Sequence, residues 1–121
     1  TAFLERMAEY AAAVLLSRPR PSVHLAFVRA VTPGCDCMGY SDAPICPDIG
    51  VLASEDPVAL DQACLDLVNA APPLYPSALP QGLSPGVDKF HALHPGVQGE
   101  MLLAYAETLG LGRRQYRLRE I

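Results

Sequence analysis

The stretch PDIGVLASEDPVALDQA, residues 47–63, decides the fold of this chain. Its first part is a short apolar run, which is typical of a buried strand and predicts one over residues 48–53. A polar turn follows, in which Asp56 is a good N-cap and Pro57 fits the first helical position, where its missing N–H costs nothing. We therefore predict a helix that starts at Pro57 and ends at about residue 69 or 70.

The residues before this stretch predict a helix, a strand and a cysteine-bearing segment. Apolar residues at three-and-four spacing predict a helix over 3–17. Residues 23–31 have few polar interruptions, which predicts a strand buried on both faces. That strand runs directly into the segment 33–50, which carries most of the cysteines. Because sites in open α/β sheets lie beyond the carboxyl ends of strands, we expect a ligand there.

The residues after the stretch begin with a proline-rich segment, 71–97, that has no periodicity and predicts a long loop. Apolar spacing then predicts a helix over about 99–109, with Gly110 as its C-cap glycine. The alternating residues 115–121 predict a half-exposed edge strand. The expected fold is α/β: a small mixed sheet of about three strands with helices packed on it, in one domain over residues 1–121.

Composition limits the partners of the chain. Its formal net charge of −4 argues against nucleic acid, which requires a basic face. No apolar run approaches the length that spans a bilayer, and no signal peptide is visible, so we expect no membrane partner and a cytoplasmic location. The chain starts without Met in mid-helix, which indicates a fragment of a longer protein. The N-terminal remainder and a second copy are therefore its expected partners.

The strongest candidates for function are Cys35 and Cys37, which follow a Pro-Gly turn. A Cys-x-Cys pair can aim both sulfurs at one ion, and thiolates suit zinc and iron–sulfur clusters. Two thiolates do not complete a site, so a further ligand is expected, with His94 preferred. The other candidates are Cys46, His91, Asp36, Asp48 or a second chain. The structural alternative is a pair of thiols in a turn.

Two further residues allow more than one interpretation. Asp61, one turn into the predicted helix, either satisfies nearby backbone donors and the helix dipole, or helps to bind the cofactor as a partner of a ligating histidine. Cys64 lies on the apolar side of the same helix, where a cysteine usually acts as a small buried hydrophobe.

Two other classes of function remain open. A nucleophilic enzyme would pair Cys35 or Cys37 with His94 as its base. An interaction module would have no chemistry of its own. No substrate or reaction is indicated by the residues.

Four short motifs carry a resemblance to a known family. They are CDC at 35–37, PDIGVLAS at 47–54, DPVALDQA at 56–63 and LGLG at 109–112. In this order they resemble the uncharacterised iron–sulfur-centre proteins grouped as domain of unknown function 362, from about Val23 to the C-terminus. Family members are longer, and this chain resembles their C-terminal part. The resemblance implies an α/β fold and an iron–sulfur or metal-binding role in a redox protein, with an iron–sulfur cluster or zinc as cofactor. Many members also carry a ferredoxin-type cysteine run, which this chain lacks.

Overall fold

The computed structural model describes residues 2–18, 20–35 and 37–121. Its elements, in chain order, are α1 (Ala2–Leu16), β1 (His24–Val28), β2 (Gly50–Ser54), α2 (Pro57–Ala70), α3 (Lys89–Leu93) and α4 (Gly99–Thr108). The predicted α/β class is confirmed. None of the described helices is both long and apolar enough to cross a membrane.

The sheet is smaller than predicted. In the described part of the chain it has two strands, β1 and β2, which pair antiparallel from His24 opposite Ser54 to Val28 opposite Gly50. The expected third strand is not confirmed. Helix α2 contacts both strands and covers one side of the sheet.

The prediction that the first strand is buried on both faces is wrong. Leu25 and Phe27 are 61% and 67% exposed, whereas Val28 is 7% exposed. Successive side chains of a strand point to opposite sides of the sheet, so packing α2 against one side buries only every second residue. Val51 pairs with Phe27 and is 58% exposed on the same open side.

The predicted edge strand over 115–121 is also wrong, since these residues have no strand conformation. Side chains hold this end of the chain on α2 instead. The Arg114 Nε donates a hydrogen bond to Gln62 Oε1 at 2.7 Å, and the Tyr116 hydroxyl donates to Asp66 Oδ2 at 2.8 Å. These two bonds anchor the start of the segment to α2. Gln62, which accepts the Arg114 bond, is 7% exposed.

Two groups of buried side chains form the core. The larger lies between the sheet, α2 and the segments around them, and contains Val28, Ile45, Cys46, Leu52, Leu60, Ala63, Val68 and Leu79. The smaller joins α1, α2 and α4 through Ala8, Val58, Leu103 and Ala106. Helix α2 contributes to both groups, which makes it the central element of the fold.

The proline-rich segment contains a helix that the sequence did not predict. Asp88 caps α3, accepting a hydrogen bond at its Oδ1 from the His91 N–H at 2.9 Å. Lys89, fully buried, donates from Nζ to the carbonyls of Asn69 at 2.8 Å and Ala71 at 2.6 Å. These bonds fix the end of the segment to the C-terminus of α2, where a cation is also favoured by the helix dipole.

Candidate functional site

Cys35 and Cys37 lie in an exposed turn after β1. The Cys37 N–H donates to the Cys35 Sγ at 3.4 Å, and the Met38 N–H donates to the Cys35 carbonyl at 2.9 Å. The turn therefore places two exposed cysteines close together.

The described residues do not complete a metal site around this turn. No group of three or more His, Cys, Asp or Glu side chains within residues 2–18, 20–35 and 37–121 could hold a metal ion. Asp36, one of the predicted ligands, lies outside the described residues. The donor set is chemically right for zinc or an iron–sulfur centre, but it supplies only part of a tetrahedral site.

The loop that carries His94 folds back toward the cysteine segment. The prediction that His94 is a metal ligand requires such a fold. The Nε2 atom of His94 lies 3.0 Å from the carbonyl oxygen of Pro33, with which it forms a hydrogen bond. This bond connects the end of α3 to the residues just before Cys35. In this conformation the Nε2 atom of His94 is therefore occupied by its hydrogen bond to the backbone.

Cys46, the other predicted metal ligand, lies in the larger core group and is 1% exposed. Burial raises the pKa of its thiol, an effect that the positive charge of Lys89 opposes and the negative charge of Asp48 reinforces. The structure thus places Cys46 in the interior, whereas Cys35 and Cys37 are on the surface.

A cleft of about 510 Å³ lies between β1, α2, α3 and the start of α4. Its polar lining comes from Asp61, Cys64, Asp88 and His94, and the remainder is mainly apolar. The structure therefore brings two predicted site residues, Asp61 and His94, to one cavity. Cys35 borders a different and smaller hollow, with Met38 and Tyr40.

The apolar surroundings of the cleft raise the pKa of two of its side chains, Asp61 and Cys64. Desolvation raises the pKa of the Asp61 carboxyl, which the charge of His24 partly counteracts. Desolvation also raises the pKa of the Cys64 thiol, and the neighbouring charge of Asp61 raises it further. Cys64 is therefore held in its neutral form, which fits the expected role of a small hydrophobe rather than a nucleophile.

Sequence reasoning missed the cleft and two of its residues, Asp88 and Phe90. The Asp-Lys-Phe-His-Ala-Leu run at 88–93 begins with a good N-cap residue, which was an available signal for α3. The enclosure of the cavity depends on how α3 and α4 pack beside β1, and no local pattern encodes that.

Comparison with known proteins gives one result. The family model described as Domain of unknown function (DUF362) matches residues 1–66, which hold α1, β1, the cysteine segment, β2 and most of α2. The resemblance expected from Val23 to the C-terminus overlaps this match over residues 23–66. Searches of curated proteins and of solved structures found no match. Because the family model covers more than half of the 121 residues, the chain belongs to the domain of unknown function 362 family.

Proposed function

We propose that this chain is a metal-binding module of a redox protein, with Cys35 and Cys37 as part of the metal site. The observation that carries this proposal is the exposed turn in which the Cys37 N–H donates to the Cys35 Sγ at 3.4 Å. Such a turn supports two thiolate ligands and leaves them accessible to an incoming ion. The remaining ligands come from outside the described residues or from a second chain.

The identity of the bound group decides what the module does. Zinc has no redox chemistry and would give the turn a structural role, whereas an iron–sulfur cluster would let it transfer electrons. Both groups need thiolates, which a reducing compartment preserves, so the proposal keeps the expected cytoplasmic location. His94 and Asp61 have supporting roles in this proposal: the His94 bond to Pro33 braces the start of the cysteine segment, and Asp61 lies in the same cleft as His94.

Metal analysis of anaerobically purified protein, with an absorption spectrum, tests the proposal. We expect stoichiometric zinc or iron, and visible absorption if the group is an iron–sulfur cluster. The double variant Cys35→Ser/Cys37→Ser should lose the metal, whereas Cys64→Ser, which removes a thiol from the cleft, should retain it. Metal-free wild-type protein that also fails to take up zinc or to accept a reconstituted cluster would overturn the proposal.

A nucleophilic cysteine is the second candidate, favoured by one observation. The His94 imidazole is fixed 3.0 Å from the Pro33 carbonyl, and Cys35 follows Pro33 by two residues. If a thiol–imidazole pair forms there, iodoacetamide should alkylate one of these cysteines much faster than the other, and His94→Ala should slow that reaction. Equal rates at Cys35 and Cys37, unchanged by His94→Ala, would exclude this candidate.

A further inference from the structure

The cleft of about 510 Å³ beside β1 has a chemical character that the proposed metal site does not explain. We propose that it binds a small organic cation, namely a protonated amine with an apolar body. The proposed thiol ligands lie outside this cleft, because Cys35 borders a separate hollow.

The walls of the cleft provide the apolar part of such a site. Val28, Val68 and Leu103, which line it, are 7%, 3% and 6% exposed, so the surface they present is continuous with the packed core. A cavity of this size lies within the range that small molecules occupy in proteins. An apolar body placed there would remove hydrocarbon surface from water on both sides of the contact.

Aromatic rings favour a cation over a neutral ligand of the same shape. Phe90 of α3 lines the cleft, and its side chain is partly buried against the larger core group. The face of an aromatic ring carries partial negative charge and attracts an ammonium group.

The charged groups of the cleft point to the same ligand. Asp61 from α2 and Asp88 at the start of α3 both line the cavity, and no lysine or arginine is among its described lining residues. Asp88 uses its Oδ1 to cap α3 through the His91 N–H. The carboxylates therefore give the cleft a negative potential, which complements a cation and repels an anion. The only lysine of the chain, Lys89, is directed away into carbonyl groups of Asn69 and Ala71.

The experiment compares three probes that share an octyl chain: n-octylammonium, 1-octanol and octanoate, each below its micellar concentration. Binding is followed at neutral pH by amide chemical-shift changes of the ¹⁵N-labelled 121-residue chain. We expect saturable shifts at residues 26–28 and 61–68 with n-octylammonium, and an affinity about fivefold higher than that of 1-octanol. Octanoate should bind more weakly than either.

Variants then assign the selectivity to the carboxylates. Asp61→Asn should reduce the affinity for n-octylammonium about fivefold and leave 1-octanol unchanged. Asp88→Asn should act in the same direction without unfolding α3, because asparagine is also a good N-cap. Asp42→Asn, in the exposed cysteine segment and outside the cleft, is the matched control and should have no effect.

Two results would overturn the proposal: 1-octanol or octanoate binding as tightly as n-octylammonium, or n-octylammonium binding that neither Asp61→Asn nor Asp88→Asn weakens. The same titration in Cys35→Ser/Cys37→Ser separates this outcome from failure of the metal proposal, because that variant lacks the thiol ligands but retains the cleft.

Discussion

Asp56 joins two distant parts of the chain through one carboxylate. Its Oδ1 accepts hydrogen bonds from the Val58 and Ala59 N–H groups, both at 2.9 Å, and caps α2. Its Oδ2 accepts from the Arg113 N–H at 2.8 Å. The chain can approach this closely because position 112 is glycine: an added Cβ would lie 2.6 Å from Asp56 Cγ.

Gly112→Ala should therefore destabilise the protein, by about 1–2 kcal/mol if the cap is displaced. The direction of this stability change is informative, because replacing a loop glycine with alanine normally stabilises a protein by restricting its unfolded chain. Urea denaturation measures the change. Gly39→Ala is the control, since a Cβ there meets nothing within 4 Å. A Gly112→Ala protein as stable as the control would show that the contact with Asp56 is not tight.

Lys89 stabilises the fold by satisfying carbonyl groups at the end of α2. Lys89→Met retains much of the side-chain volume but leaves the carbonyls of Asn69 and Ala71 without their Nζ donor. Unsatisfied buried acceptors are costly, while removing a buried cation offsets part of that loss, so we expect a net destabilisation of about 2 kcal/mol. Thermal and urea unfolding measure it. Arg29→Met removes a cation whose side chain is 70% exposed and should change stability little. Equal stability of both variants would mean that the buried bonds contribute nothing net.

Asp61 should make stability depend on pH in a defined direction. Its pKa is raised in the folded protein by desolvation, so the folded state retains the proton above pH 3.8, the ordinary value, where the unfolded state has lost it. The stabilisation that protonated Asp61 gives the folded state is fully present below pH 3.8. It is lost as the pH rises through the raised pKa. Asp61→Asn should consequently be more stable than wild type at neutral pH, by a few tenths of a kcal/mol because solvent screens an exposed carboxyl. Paired urea titrations across acid pH would contradict this if the difference between the two proteins stayed constant.

At the scale of elements, the sequence predicted the helices better than the strands. The expected helices at 3–17, 57–70 and 99–109 correspond to α1, α2 and α4, and Gly110 follows α4 with a positive φ of 79°. These segments combine a clear apolar spacing with local end signals, which are properties of the chain itself. Strand formation depends on a distant partner, which is why residues 115–121 alternate like a strand and yet form none.

For the candidate site too, the sequence predicted the local feature and not the one that depends on distant contacts. The Cys-x-Cys turn is a local feature and was found from its residues. The cleft joins Asp61 to His94 across more than thirty residues of chain. That pairing depends on Lys89 and Asn69, whose bonds fix α3 beside α2, and neither residue follows a recognisable pattern.

At the scale of the whole molecule, the sheet has one open apolar side. Leu25, Phe27 and Val51 are exposed on it, and adjacent exposed apolar residues make proteins associate. We expect the wild-type chain to self-associate as its concentration rises. Leu25→Thr/Val51→Thr should reduce that association and leave the unfolding free energy within about 0.5 kcal/mol, because threonine suits an exposed strand position. Sedimentation velocity over a concentration series measures the association, and urea denaturation measures the unfolding free energy.

Leu52→Thr is the matched control from the opposite side of β2, where the residue is 9% exposed. It should destabilise the fold, since it places a hydroxyl in the core. Association that is unchanged in Leu25→Thr/Val51→Thr would mean that another surface mediates it.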